Sequence, residues 1–269
     1  MEYDPVKDKL QSILGSSVTA RKLFFAALDR FFLRSRYVRR EITRLRADGF
    51  SPGEILDAGS GFGQYSFRLA KTFPRVKIVG LDLKEELVNS GNQFAVKAGF
   101  NQITFELGDL LSMTYKSRFN LVLSVDVMEH IEDDQSVLDN IGRALKPGGY
   151  FIMTTPYFNS SGRETAAIGQ PFVDEHVRPG YFKSELQEKL SRAGMDLRQF
   201  TITYGPRGNI AWKLLQKWPL SWLSGRIWLA PLVALYFCLA YPIARIFMHM
   251  DMQTDNESGG GILAVAVKR

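Results

Sequence analysis

Cysteine is all but absent from this chain. Cys238 stands alone among 269 residues, which excludes an internal disulfide framework and a cysteine-built zinc site. The opening MEYDPVKDKL has no apolar core, so no secretory signal is expected. Neither an internal repeat nor a low-complexity block occurs, which excludes solenoid architectures and compositional linkers. Charge is missing from one stretch in particular. Ile227–Ala244, IWLAPLVALYFCLAYPIA, carries no charged side chain. Elsewhere the composition is that of a globular protein, long enough for one large domain with a sizeable core.

The net charge of +6 is placed unevenly. Residues 21–46 hold Arg21, Lys22, Arg30, Arg34, Arg36, Arg39, Arg40, Arg44 and Arg46 against only Asp29 and Glu41. The excess is therefore local, and it suits an anionic partner, either nucleic acid or acidic lipid headgroups. Apolar residues in the same segment recur at helical spacing: Leu23, Ala27, Phe31, Val38, Ile42 and Leu45. Two readings fit this pattern. One is a helix or helix pair packed on the core; the other is a basic amphipathic helix at a surface.

After Pro52 the pattern changes. EILDAG, VKIVGLDL, ITFELGD, FNLVLSVDV and YFIMTTP read as short strands, with amphipathic helices between them. Alternation of this kind predicts an α/β fold with right-handed crossovers and a mostly parallel sheet. KPGG before Tyr150 reads as a turn into the fifth strand. Two further strands are expected in DLRQFTITYG and GILAVAVKR.

The first strand runs into a glycine loop, Asp57-x-Gly59-x-Gly61-x-Gly63. Glycines let the chain turn tightly and bring backbone N–H groups close to a ligand. An acid, Asp82, ends the next strand. An acid there can accept hydrogen bonds from both ribose hydroxyls of a nucleotide-like cofactor. The spacing differs from the GxGxxG of dinucleotide-binding dehydrogenases. It resembles motif I of class I S-adenosylmethionine-dependent methyltransferases. Other segments are similar to that family in order: Asp82 and Leu83 at the ribose position, Asp109 and Leu110 in GDL at the adenine position, Ser124 in SVDVMEHI beside the methyl group, and LKPGGYFIMTTP at the fifth strand.

The resemblance covers about residues 50–205 and the last strand. It implies S-adenosyl-L-methionine as cofactor and a Rossmann-like sheet of seven strands ending in an antiparallel hairpin. On this reading residues 1–50 form a basic helical extension, 51–205 with 258–269 the methyltransferase domain, and 206–257 an apolar helical insertion inside the hairpin.

That placement bears on the charge-free stretch. A single bilayer crossing would strand GILAVAVKR on the far side, unable to rejoin the sheet. Eighteen apolar residues are also near the lower limit for a span, Pro231 and Pro242 interrupt them, and basic residues flank both ends. The expectation is a helical insertion, Arg207–Asp251, that dips into one leaflet or forms a shallow re-entrant hairpin. Trp212, Trp218, Trp222 and Trp228 suit an interfacial depth. A buried helix or a dimer interface is the alternative. The expected location is cytoplasmic, peripheral on the inner face of a membrane, with the basic segment attracted to anionic lipid.

Methyl transfer needs no protein nucleophile. It needs alignment, exclusion of water and a destination for the acceptor's proton. Asp126-x-x-Glu129-His130 is similar to the E-x-x-E-H motif of ubiquinone-biosynthesis O-methyltransferases. The resemblance implies a divalent metal such as Mg held by Asp126, Glu129 and His130, three residues that would converge on one helical face. Asp replaces Glu at the first position, which shortens the reach. The alternative is that Glu129 and His130 shape the cofactor pocket. His176, before a helix start, is a further candidate base beside Glu129 and His130. The leading expectation is methyl transfer to a lipophilic acceptor (a quinol precursor, isoprenoid or other lipid) at a membrane surface. A soluble small molecule or nucleic acid is the second reading, though nucleic acid leaves the insertion without a role. A cofactor-binding membrane adaptor without catalysis is the third.

Overall fold

Each short apolar run after Pro52 becomes a strand. A computed structural model describes residues 17–158, 177–224 and 226–269. Strands β1 (Glu54–Ala58), β2 (Lys77–Asp82), β3 (Ile103–Leu107), β4 (Phe119–Val125) and β5 (Leu145–Pro156) are parallel. Helices α3 (Gln64–Thr72), α4 (Glu85–Ala98) and α5 (Asp134–Ala144) connect them, and α6 (Lys183–Arg192) leads into β6 (Met195–Thr203). The last strand, β7 (Gly261–Lys268), inserts antiparallel between β5 and β6, giving the order β3-β2-β1-β4-β5-β7-β6. KPGG lies inside β5 as an irregularity in its pairing with β4, with Gly148 at φ +75°. It is not a separate turn.

Strands buried on both faces need apolar side chains at consecutive positions, and β1 and β4 supply them. Ile55, Leu121, Leu123 and Ile152 face one apolar layer, under α3 and α4. Leu56, Val122, Phe151 and Met153 face the other, under α5 and α6.

The N-terminal segment is a helix pair packed on the first layer. Helices α1 (Val18–Phe31) and α2 (Leu33–Ala47) break at Phe32, which adopts an extended conformation. Tyr37, Val38, Ile42 and Leu45 are buried. Much of the basic charge turns inward. Arg21 is 1% exposed and donates to the Ser90 carbonyl and hydroxyl and to the Phe62 carbonyl. Arg40 donates to the Met252 carbonyl.

Between β6 and β7 the chain forms α7 (Pro206–Trp212), a π-helical turn (Lys213–Lys217), α8 (Trp218–Leu223), a short turn at Ile227–Leu229, and α9 (Ala230–Gln253). The prolines do not interrupt α9. Pro231 sits in its first turn, where no donor is needed, and the helix continues through Pro242 to Gln253. Asp251, fully buried, fastens its end by accepting from the Tyr37 hydroxyl at 2.9 Å and the Gly208 amide at 3.0 Å. A Cβ on Gly208 would lie 2.7 Å from Leu33 and 2.8 Å from Asp251. Only glycine lets α7 come this close. Trp212, expected at an interface, is buried because α7 is the inner helix of the insertion. The outer surface of α9 is different. Leu232, Leu235, Leu239, Ile243, Ile246 and Met250 are 37% to 73% exposed and fall on one face of the helix.

Candidate active site

The glycine loop is built by close packing at its ends and openness in its middle. A Cβ on Gly59 would lie 2.5 Å from Val127, and one on Gly63 2.7 Å from the Phe105 ring. Gly61, at φ +52°, would meet nothing within 4 Å, so its backbone faces open space. Asp82 pins the loop: Oδ2 accepts from the Gly61 amide at 2.7 Å and Oδ1 from the Lys84 amide at 3.0 Å. Asp57 lies below the loop, buried, and accepts from the Ser66 hydroxyl at 2.6 Å. Burial first, and then the Asp82 charge, push its pKa up to about 7. It braces the start of α3 and does not line the open space. Leu83 is exposed and Leu110 buried. Asp109 closes its own turn by accepting from the Leu111 amide at 2.9 Å. The Asn140 side chain donates to the carbonyls of Leu110 and Leu111 at 2.7 and 2.8 Å, fixing that loop from α5.

At the end of β4 the chain turns sharply, with Asp126 at φ +52°. Met128–His130 is a single 3-10 turn. The expected metal triad needed one α-helical face, and this geometry does not provide it. Asp126 is instead paired with Arg34 of α2 and accepts from the Thr154 hydroxyl at 2.8 Å. Glu129 is buried and accepts from the Thr155 hydroxyl at 3.3 Å; His130 on the same turn is exposed. Among the described residues no three His, Cys, Asp or Glu side chains are grouped to hold a metal ion. Burial, and then the nearby Asp126 charge, raise the Glu129 pKa to about 8. Two tyrosines complete the cluster. The Tyr204 hydroxyl accepts from the Arg34 amide at 3.2 Å, and Tyr65 shares a hydrogen bond with Ser35. His176 lies outside the described residues.

The methyltransferase-domain family matches residues 51–194, more than half of the chain. The chain is a class I S-adenosylmethionine-dependent methyltransferase. A ubiquinone biosynthesis O-methyltransferase of Coxiella burnetii is similar to it, 26% identical over 186 residues, 66% of this chain and 76% of the relative. A sterol 24-C-methyltransferase of Yarrowia lipolytica is 32% identical over 158 residues, 55% of this chain and 41% of the relative. The solved structure of an S-adenosylmethionine-dependent methyltransferase from Aquifex aeolicus shares the fold, with a TM-score of 0.52 and 19% identity over 75% of this chain and 93% of that one.

Several groups of the methyltransferase at the strand ends are open to a ligand. Gly61 opens its backbone to the space over the strand ends, and the Asp82 carboxylate stands beside it. The buried hydroxyls of Ser60 and Ser124, at the ends of β1 and β4, have no hydrogen-bond partner among the described residues. Such groups are costly unless a ligand or water completes them. When bound, S-adenosyl-L-methionine supplies a methyl group activated by a sulfonium. Sequence reasoning missed Arg34, Tyr65, Tyr204, Thr154 and Asn140. Arg34, Tyr204, Thr154 and Asn140 reach the site from other elements, so no local motif announces them, and Tyr65, two residues after Gly63, shows its role only through its Ser35 partner.

Proposed function

We propose that this methyltransferase transfers the methyl group to a lipophilic acceptor, such as a quinol precursor, an isoprenoid or another lipid, while resting on the cytoplasmic face of a membrane. The exposed apolar face of α9 carries this reading. A row of Leu and Ile side chains left open to water has a cost that burial in an acyl layer removes. Trp218, Trp222 and Trp228, also exposed, belong to the same insertion and suit the depth of the lipid headgroups. Relatives named for ubiquinone biosynthesis and for sterol methylation support the same acceptor class.

In this reading the backbone of Gly59–Gly63 cradles the cofactor, Asp82 takes the ribose hydroxyls, and the Asp109–Leu110 loop flanks the adenine. Ser124 stands near the methyl group. Glu129 accepts the proton that the acceptor loses. A carboxyl with a pKa near 8 is matched to that task close to neutral pH. Arg34 and Asp126 hold α2 over the strand ends and keep water from the reacting atoms.

The test uses methyl-labelled cofactor, the purified protein and an extract of membranes. Protein-dependent label in the organic phase is the expected outcome. Label that stays in the aqueous phase, with cofactor binding confirmed separately, would overturn the lipophilic acceptor and promote the soluble one.

A further inference from the structure

A cleft of about 320 Å³ lies where α1, α2, α3 and α9 meet. Five arginines line it: Arg30, Arg36, Arg39, Arg68 and Arg245. Asp29 is the only carboxylate among the described lining residues, and it is already engaged by Arg68 and by the Gln64 side chain. Among the remaining cations, Arg36 is poorly satisfied. Arg36 reaches the Arg30 carbonyl at 3.3 Å and the Tyr241 hydroxyl at 3.5 Å, both long, and its Nε–H has no partner among the described residues. Arg30, Arg39 and Arg245 are exposed. Burial, with the neighbouring charges of Arg39 and Arg245, lowers the Arg36 pKa, so these cations are crowded enough to repel one another.

The position of the cleft narrows what would fill it. Arg245 and Tyr241 belong to α9, the helix that carries the exposed apolar face. Arg245 stands about a third of a turn round the helix from that face. A helix lying in a membrane surface with its apolar face in the acyl layer holds its flanks at headgroup depth. Guanidinium groups converging there match the geometry and charge of a phosphate.

We infer that this arginine cleft binds the phosphate headgroup of an anionic lipid. It rests on the reading of α9 as a membrane-surface helix. It adds a second contact of different chemistry, one that selects the lipid and not merely the interface. Nucleic acid is the weaker occupant, because the α9 surface beside the cleft is apolar.

The experiment is vesicle flotation with the full chain. One set of vesicles is phosphatidylcholine alone; the other contains about one third phosphatidylglycerol. The unaltered protein is expected to prefer the anionic vesicles, and high salt should erase the preference. Arg39→Gln with Arg245→Gln, both exposed and therefore tolerated by the fold, should weaken binding to anionic vesicles about 10- to 30-fold and leave binding to neutral vesicles unchanged. A preference that survives this double substitution overturns the assignment. Equal binding of the unaltered protein to both vesicles overturns the headgroup site while the membrane-surface reading stands, and binding to neither overturns both. Calorimetry with glycerol 3-phosphate separates the sources. Binding as tight as to the anionic vesicles would assign the cleft to a soluble phosphate, and a single-stranded RNA that displaces the protein from those vesicles would assign it to nucleic acid.

Discussion

The two helical additions to the sheet treat their surfaces in opposite ways. The N-terminal pair is rich in charge and turns much of it inward: Arg21 into the joint between α1, α4 and the glycine loop, and Arg34 onto Asp126. The insertion is rich in apolar residues and turns a full face of them outward. A basic segment is thus partly structural, and an apolar one is partly a surface. Composition alone assigns them the other way round. The difference lies in what each segment meets. The first covers carbonyls and carboxylates at the strand ends, which want donors. The second already has its inner face filled by Phe31, Tyr37 and Leu33, so the opposite face has nothing left to cover.

The comparison breaks most sharply at Arg21. Arg21→Met should cost about 3 kcal/mol of stability, because two carbonyls and a hydroxyl lose a charged donor in a closed space. Urea unfolding checks this, and a loss within error of zero would return α1 to the surface-helix reading. On the other side, Leu239→Ser with Ile243→Ser and Ile246→Ser should lower partition into neutral vesicles about 100-fold and leave the Tm and the cofactor Kd unchanged. A lower Tm would mean that the face packs against protein, and a change from dimer to monomer would make it a subunit interface.

Arg34→Gln sharpens the contrast within the N-terminal pair. Its cation favours the ionised form of Glu129, so removing it should carry the Glu129 pKa above about 8. The rising limb of kcat against pH should then move to more alkaline pH; an unmoved limb would detach Glu129 from proton transfer. A separate effect, read against pH, is expected at Asp57, which lies outside both additions. Its pKa is raised from 3.8 to about 7 by burial. The stability tied to its neutral form is complete below the lower value and is lost as pH rises through the upper one. Asp57→Asn should therefore flatten the Tm profile between those limits, as scanning calorimetry over that pH range would read.

Much of the sheet was legible in the sequence because parallel strands are short apolar runs bounded by turn residues. The glycine loop and Asp82 were legible because their spacing is local. What was missed depends on contacts at long range. Spacing of i, i+3 and i+4 implies convergence only on an α-helix, and nothing near Asp126 announces the positive φ that replaces the helix with a 3-10 turn. The partner of Asp126 is Arg34, on an element far earlier in the chain. Trp212 was misjudged for a similar reason: its burial follows from Gly208, whose lack of a side chain lets α7 settle against Leu33 and Asp251. The arginine cleft is assembled from four helices and has no motif of its own.

The position of β7 sets an order of events during synthesis. It occupies an interior place in the sheet, between β5 and β6, yet the ribosome makes it only after α9. The apolar helix therefore leaves the exit tunnel while the sheet is still open along β5 and β6. Chains elongate at roughly 5–20 residues per second, far slower than a helix forms. If α9 rests on lipid as proposed, the helix can meet that surface before the last strand closes the domain.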